Sequence, residues 1–114
     1  MKIERFHIYL ADLGTRYGVE PGKIRPVVVV QTDLLNSQEY ASTIVCPITS
    51  QVENALDILR VYINTKEAGL NTPSDILVDQ IRAIDNHRIK RYLGRLNRSQ
   101  SEQLEENLKV LILE

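Results

Sequence analysis

The sequence predicts a mainly β fold of the α+β class, a small SH3-like curved β-barrel with one C-terminal helix. The barrel is indicated by several short runs of β-branched and aromatic residues, separated by turn-forming Gly, Pro and Asn. The helix is indicated by one amphipathic segment at the end of the chain. The 114 residues are enough for one hydrophobic core, so we treat 1–114 as a single domain.

Six runs have the composition or period of β-strands, and they span residues 6–11, 24–31, 43–48, 58–63, 76–84 and 92–96. The second run contains four consecutive valines at 27–30, which predicts a strand buried on both faces. Pro26 has no N–H to donate to a ladder, so we expect it to mark the beginning of that strand. The polar segment 31–42 is expected to form a turn.

The segment between the first two strands, residues 12–22, is long for a connection in a small domain. It contains three glycines and Pro21, and it ends three residues before Arg25. Long loops in compact folds are often functional or mobile, so we expect a mobile lid beside Arg25, stiffened in part by Pro21. An ordered hairpin connection is the alternative.

The C-terminal helix is predicted to begin at Ser99. Ser99 and Glu102 have the spacing of a capping box, in which each side chain bonds the backbone of the other residue. One face of the helix then carries a stripe of apolar residues, Leu104, Leu108, Leu111 and Ile112. This stripe is predicted to pack in the core or in a dimer interface.

Composition excludes several classes of protein. No apolar run approaches the roughly 18 residues that a membrane span needs, and no secretion signal precedes the first strand, so a cytoplasmic protein without a membrane partner is expected. Cys46 is the single cysteine, and its apolar surroundings predict a buried small hydrophobe. His7 and His87 lack the spacing of metal ligands. We therefore expect no metal and no cofactor.

The charge of the chain is unevenly distributed. The net charge is −1, but residues 82–98 carry six Lys or Arg against one acidic residue, Asp85. Two interpretations remain open. The segment is either a solvated face that pairs with acidic stretches elsewhere, or a strip that holds a phosphate backbone.

A set of polar residues lies at the predicted strand ends, where binding and catalytic residues are common: Glu20, Arg25, Thr49, Ser50, Gln51, Gln80 and Arg82. From the pattern alone, each of them has an ordinary structural interpretation as well, such as a surface strand residue or a hydrogen-bonded buried amide.

Three blocks of sequence carry a resemblance to a known family. Residues 18–31 contain Glu20, Gly22 and Arg25-Pro26 before the valine run, residues 47–51 end a strand in Thr49-Ser50-Gln51, and residues 78–85 contain Gln80-Ile81-Arg82. In this order and spacing they resemble the MazF/PemK toxins over nearly the whole chain. One departure is Phe6-His7 in place of the Gly-Asp pair with which that family commonly opens its first strand.

The resemblance implies a metal-independent endoribonuclease toxin that cleaves single-stranded RNA at specific sequences. It implies that Arg25 stabilises the charged transition state, that Thr49 bonds the scissile phosphate, and that Glu20 acts as a base or orients the arginine. RNA-binding roles are expected at Ser50, Gln51, Gln80 and Arg82. The implied partners are a second copy of the chain in a homodimer and a cognate antitoxin protein.

Two alternatives come from other functional classes. A non-catalytic toxin of the same barrel architecture binds a protein target such as DNA gyrase, because fold does not fix function. A small barrel that only binds single-stranded nucleic acid is expected to expose aromatic residues for stacking, and this chain has no Trp, one Phe and five Tyr. Arg25 with Thr49 favours the nuclease over the target-binding toxin, which needs neither residue, and the few aromatic residues disfavour the nucleic-acid-binding barrel.

Overall fold

A computed structural model describes residues 1–15, 17–20, 22–53 and 58–114 of the chain. The strands, numbered in chain order, are β1 (His7–Asp12), β2 (Ile24–Val29), β3 (Ser42–Thr49), β4 (Arg60–Ile63), β5 (Ser74–Leu77), β6 (Arg82–Asp85) and β7 (Ile89–Arg95). The helices are α1 (Asp33–Asn36) and α2 (Arg98–Leu113), and short 3-10 turns lie at Val78–Gln80 and Asn86–Arg88. The expected stiffening by Pro21 concerns a residue outside the described ranges.

Over the described residues, these strands form one antiparallel sheet in the order β4-β5-β3-β2-β1-β7, with β6 paired to β3. This arrangement, with α2 at the end of the chain, confirms the predicted mainly β fold with a C-terminal helix. None of the helices described in this sheet-and-helix fold combines the length and the apolar character that a membrane crossing requires. The polar segment 31–42 was expected to be a turn only, but it contains the single helical turn of α1, where the Thr32 hydroxyl accepts the Leu34 N–H at 3.2 Å.

The predicted strand 76–84 is wrong as a single element, because the chain forms β5 and β6 there with a 3-10 turn between them. β3 pairs with both: Ile48 lies opposite Ile76, and Val45 lies opposite Arg82. Two residues separate Val45 from Ile48, whereas five separate Ile76 from Arg82. The turn at Val78–Gln80 takes up the excess and bends the chain between its two pairings.

β2 is the strand whose burial the valine run predicted. Val27, Val28 and Val29 all have no exposed surface, which confirms burial on both faces. The strand begins at Ile24, earlier than the expected start at Pro26. β2 pairs with β3 only from Val27 onward, so Pro26 lies outside that ladder and its missing N–H is tolerated.

Two hydrophobic clusters lie on opposite faces of the sheet, because successive strand residues point to opposite sides. One cluster packs beneath α2 and includes Ile8, Val28 and Leu104. The other includes Tyr9 and Val27. Each cluster buries alternate residues of β1 and β2, which explains why both strands are apolar on both faces.

Helix α2 begins two residues before the expected capping box. Asn97 is the N-cap: its side chain accepts the Gln100 N–H at 2.8 Å, and the Gln100 side chain accepts the Asn97 N–H at 2.9 Å. The predicted cap at Ser99 with Glu102 is therefore wrong, since an earlier Asn and Gln have the same spacing and form the same reciprocal bonds. Of the predicted stripe, the residue nearest the helix start is fully buried and those further along are only half-buried or exposed: Leu104 at 0 %, Leu108 and Leu111 packed against the core, and Ile112 at 55 % exposed.

The turn before β1 is formed without glycine. Phe6 has a φ of +66°, in the left-handed region that glycine adopts most easily. Its N–H donates to the Val29 carbonyl at 2.7 Å, its carbonyl accepts the Leu96 N–H at 3.0 Å, and its ring packs against the core. Phe6 thus keeps the turn where the resembling family commonly has glycine.

The segment that follows β4 and strand β7, on the two outer sides of the sheet, pack closely against each other at two glycines. The segment after β4 contains Gly69, and β7 contains Gly94. A Cβ added at Gly69 would lie 2.0 Å from the Leu93 carbonyl oxygen, and one added at Gly94 would lie 2.5 Å from the Ala68 carbonyl oxygen. At this seam the loop after β4 packs closely against β7, although β4 and β7 themselves are not paired among the described residues.

Candidate functional site

A cleft of about 800 Å³ opens across the ends of several strands and over the seam. Its lining is mostly polar at the rim, and its apolar floor comes from β1, β2, β3 and β5. The lining residues are Leu10, Val19, Ile24, Arg25, Pro26, Ile48, Thr49, Ser50, Gln51, Glu53, Arg60, Gly69, Leu70, Asn71, Thr72, Ser74, Leu77, Arg91 and Leu93. The cleft therefore contains four of the seven site residues predicted from the sequence.

Arg25 and Thr49 lie at the adjacent ends of β2 and β3. The antiparallel ladder pairs Val27 with Pro47, and Arg25 comes two residues before Val27 while Thr49 comes two residues after Pro47. Both side chains are half-buried and line the cleft. The Arg25 Nε donates to the Gly22 carbonyl at 3.0 Å, which ties the guanidinium to the end of the loop before β2.

The turn that follows Thr49 forms one wall of the cleft. The Thr49 hydroxyl oxygen accepts the Gln51 N–H at 3.1 Å, which folds the chain back at the end of β3. Ser50 and Gln51 are exposed at this wall. Their side chains are thus available to a ligand in the cleft.

A buried ion pair beneath this wall was not predicted from the sequence. The Arg60 Nη1 donates to the Asp75 Oδ2 at 3.0 Å and to the Gln51 carbonyl at 2.9 Å. The Asp75 side chain is 3 % exposed and also accepts the Glu53 N–H at 3.1 Å. Arg60 occurs in an apolar strand run and Asp75 directly precedes another, so only the pairing of β4 with β5 and of β5 with β3 brings them to the site.

The basic segment 82–98 contributes one arginine to the cleft, Arg91, which lies opposite Leu10 in the pairing of β7 with β1. Other members of the segment have local roles. Arg88 donates to the Asp12 carbonyl at 3.0 Å, and Arg98 forms an exposed ion pair with Glu102 at 2.9 Å. Arg91 is therefore the member of the segment placed to meet a ligand in this cleft, and the phosphate-binding interpretation stays a prediction.

Three predicted site residues lie outside the cleft lining. Glu20 is exposed in the loop before β2, where its N–H donates to the Tyr17 carbonyl at 2.9 Å. Gln80 lies in the 3-10 turn and Arg82 begins β6, and both are half-buried. Arg82 pairs with Val45, four residues along β3 from Thr49. Their predicted roles stay predictions.

The base of the 12–22 loop is ordered by the hairpin ladder. Beyond the Asp12–Ile24 pair, the Leu13 N–H donates to the Lys23 carbonyl at 2.8 Å and the Lys23 N–H donates to the Gly14 carbonyl. The tip carries exposed Tyr17 and Val19, and Val19 borders the cleft. A lid at this position therefore comprises the tip and not the whole loop.

Cys46 lies in β3 with no exposed surface, as predicted. Burial raises the pKa of its thiol to about 12, and the nearby charge of Asp79 adds to the shift. A thiol with that pKa is not a nucleophile near neutral pH. Within the described ranges, no group of three or more His, Cys, Asp or Glu side chains is placed to hold a metal ion.

Comparison with known proteins identifies the family. The family model of the PemK-like, MazF-like toxins of type II toxin-antitoxin systems matches residues 4–112. The chain is also 34% identical over 110 residues to Endoribonuclease EndoA of Bacillus subtilis (strain 168), a match that covers 96% of this chain and 94% of that protein. The enzyme class predicted from the sequence agrees with the name of this relative.

Solved structures agree with the fold. The chain resembles Mycobacterium tuberculosis toxin MazF-mt6 with a TM-score of 0.75 and 26% identity, over 91% of this chain and 93% of that chain. It resembles MazF from Deinococcus radiodurans with a TM-score of 0.82 over 100% of this chain and 99% of that chain, where the identity of 19% shows the fold alone. On the family match and the 34% identity, this chain belongs to the PemK-like, MazF-like toxins of type II toxin-antitoxin systems.

Proposed function

We propose that this chain is a toxin endoribonuclease that cleaves single-stranded RNA at specific sequences without a metal ion, and that it inhibits translation and growth in this way. The observation that carries the proposal is that Arg25 and Thr49, at the adjacent ends of β2 and β3, line one cleft. The family and the name of the Bacillus subtilis relative support the same activity.

The chemistry uses the ribose 2′-OH as an internal nucleophile. Its oxygen attacks the adjacent phosphorus and loses its proton, the bond to the 5′-oxygen breaks, and the leaving 5′-oxygen takes up a proton, so the products are a 2′,3′-cyclic phosphate and a 5′-OH. Negative charge builds on the phosphoryl oxygens during this step. The Arg25 guanidinium suits this charge, because its fork of N–H donors matches phosphate oxygens and keeps its charge at any working pH.

Thr49 supplies a hydroxyl donor to the same phosphate from the opposite strand. Glu20 either removes the 2′-OH proton or orients Arg25. Its exposed position in the loop before β2 favours a contact that forms when the loop tip moves toward the cleft.

Sequence specificity requires base edges to be read, and the rim offers donors and acceptors for this. Ser50 and Gln51 on one side face Asn71 and Thr72 on the other. A single strand fits this arrangement because its bases can turn outward to be read, whereas those of a duplex cannot. Gln80 and Arg82 lie outside the lining, and we propose that they hold RNA beyond the cleft.

The proposed partners follow from the family. Since members are toxins of type II toxin-antitoxin systems, we propose that a cognate antitoxin covers the cleft and that the toxin acts in the cytoplasm. The 26% identical chain is named as a toxin as well. Exposed apolar side chains at the cleft rim, Val19 and Ile24, offer the antitoxin a contact surface.

The activity is tested by incubating the purified protein with end-labelled RNA in EDTA. We expect cleavage at a small set of sequences, with 2′,3′-cyclic phosphate ends. A requirement for added Mg²⁺, once carried-over nuclease is excluded, would overturn the metal-free mechanism. Intact RNA with and without metal would favour the non-catalytic alternative, in which the toxin binds a protein target.

We also propose a homodimer. Among the described residues, exposed large apolar side chains are frequent for a protein of this size, and they include Ile112 and Leu113 at the end of α2. The chain has a mass of 13.0 kDa, so light scattering at micromolar concentration is expected to give about twice that mass. A stable monomer that still cleaves RNA would contradict the dimer.

A further inference from the structure

The turn from Ser50 to Glu53 forms one wall of the cleft. The ion pair of Arg60 and Asp75 lies beneath this turn and holds it in place. Asp75 is 3 % exposed and Arg60 is 19 % exposed in their side chains. Breaking a buried pair of this kind leaves an uncompensated charge, so its geometry is held strongly. The activity described above gives neither residue a role.

Arg60 does not have the surroundings of a phosphate-binding arginine. Its Nη1 lies 3.0 Å from the Asp75 Oδ2, and its Nη2 lies 3.3 Å from the Glu53 Oε2. Two carboxylates therefore compensate one guanidinium charge. The same Nη1 donates to the Gln51 carbonyl at 2.9 Å, which directs Arg60 toward the main chain of the turn.

The main chain of the turn in turn fixes the Thr49 hydroxyl. The Gln51 N–H donates to the Thr49 oxygen at 3.1 Å. A hydroxyl has one hydrogen to donate and two lone pairs to accept with. The Gln51 amide occupies one lone pair of the Thr49 hydroxyl, which restricts the directions in which the O–H bond can point. The hydroxyl hydrogen is then left to be donated to an oxygen in the cleft that Thr49 lines.

We propose that Arg60 and Asp75 are positioning residues that act through Gln51 to preset the Thr49 hydroxyl as a donor before RNA binds. The inference rests on the proposed function, in which Thr49 contacts the scissile phosphate. A donor fixed in advance needs no reorganisation at the moment of reaction, so its effect falls on the chemical step. Asp75 holds Arg60, Arg60 holds the Gln51 carbonyl, and the Gln51 N–H holds Thr49.

The test replaces the ion pair by apolar side chains of similar size, Arg60→Met together with Asp75→Leu. Such exchanges are often neutral or stabilising, so the fold is expected to persist. On an oligonucleotide that the wild-type protein cleaves, we expect kcat to fall about tenfold with little change in KM. The Gln51 amide is expected to exchange faster with solvent. The matched control is Arg98→Met with Glu102→Leu, an exposed pair on α2, which is expected to change neither quantity.

A double-mutant cycle separates positioning from general structural support. Thr49→Val removes the hydroxyl and is expected to lower kcat about 10- to 100-fold. In the Thr49→Val background, the Met and Leu exchange is expected to lower kcat less than twofold, because the group through which it acts is absent. An equal loss in both backgrounds would overturn the inference, and so would a wild-type kcat in the exchanged protein.

The failure of the proposed function is distinguishable from the failure of this inference. If the wild-type protein cleaves no RNA, the proposed function fails, and the inference is then judged by the Gln51 amide, whose unchanged exchange would overturn it. If the exchanged protein does not fold, Arg60→Met with Asp75→Asn is measured in its place. The asparagine keeps an oxygen for the Glu53 N–H and leaves no buried charge, while the methionine still lacks the donor to the Gln51 carbonyl. A kcat and a Gln51 exchange rate equal to those of the wild type would then overturn the inference.

Discussion

Gly94 lies where β7 meets the loop that lines the cleft, and we expect Gly94→Ala to force the two apart. The added Cβ would lie 2.5 Å from the Ala68 carbonyl oxygen and 2.9 Å from the Gly69 nitrogen. Both are backbone atoms, so no side-chain rotation relieves the contact. Either β7 or the loop must move.

The magnitude follows from the cost of overpacking, about 1–3 kcal/mol. At roughly 4 °C per kcal/mol for a chain of this size, we expect Gly94→Ala to lower the Tm by about 4–12 °C. Gly69, Leu70 and Asn71 line the cleft, so the displaced loop changes its shape. RNA cleavage by the variant is therefore expected to fall even where the protein is fully folded.

Thermal unfolding followed by circular dichroism measures the first effect, and cleavage of labelled RNA well below the Tm measures the second. Gly18→Ala is the matched control, since a Cβ there meets nothing within 4 Å and carries only the backbone cost of a φ of +58°, about 1 kcal/mol. Gly69→Ala combines a φ of +78° with a contact of 2.0 Å and is expected to be the least stable of the three. A Tm for Gly94→Ala no lower than that for Gly18→Ala would refute the packing argument.

Three further predictions concern the arginine proposed to be catalytic, the site loop and pH. Arg25→Ala is expected to lower the cleavage rate by about 10²–10³ with the Tm unchanged, and Arg25→Lys is expected to be poor as well; near-normal turnover in Arg25→Ala would remove that residue from the mechanism. The amides of Gly18 and Val19 are expected to exchange rapidly in the free protein and to be protected by RNA or antitoxin, whereas strong protection in both states would show a scaffold and not a lid. The Asn36 side chain, together with a backbone N–H, holds the pKa of Asp33 below its ordinary 3.8, so this carboxylate stabilises the fold above that pH and the contribution is lost as pH falls through the lowered pKa. Asp33→Asn is therefore expected to reduce the fall in Tm on acidification below about pH 4, and an undiminished fall would contradict it.

Much of the fold could be predicted because buried segments are rich in apolar residues, which the sequence shows directly. The valines of β2 are buried on both faces and the sequence is correspondingly apolar at every position, which no exposed strand would be. Cys46 is predicted correctly for the same reason. The juxtaposition of Arg25 and Thr49 followed from the family resemblance, since no local pattern relates residues on two different strands.

The errors arise where local patterns are ambiguous. The same cap spacing occurs twice before α2, and only the structure shows that Asn97 and Gln100 form it while Ser99 and Glu102 do not. Within residues 76–84, apolar residues lie on both sides of the 3-10 turn, so composition does not reveal that β3 pairs with two separate strands there.

The Arg60–Asp75 pair could not be predicted for a different reason. Its two members are distant in sequence and meet only through strand pairing; Arg60 stands between apolar neighbours, and Asp75 follows a polar loop at the edge of an apolar run. A charged residue in such a run has no partner that sequence spacing identifies.

The left-handed turn at Phe6 bears on how diverged members of the family are recognised. A sequence search that demands glycine there would reject this chain, although the turn is present and its hydrogen bonds to Val29 and Leu96 are intact. The left-handed backbone conformation disfavours β-branched side chains most. Substitution of Phe6 by valine or threonine is therefore the change that evolution at this position is expected to avoid. A profile that allows glycine, asparagine or an unbranched side chain and penalises β-branching describes this position better than one that requires glycine.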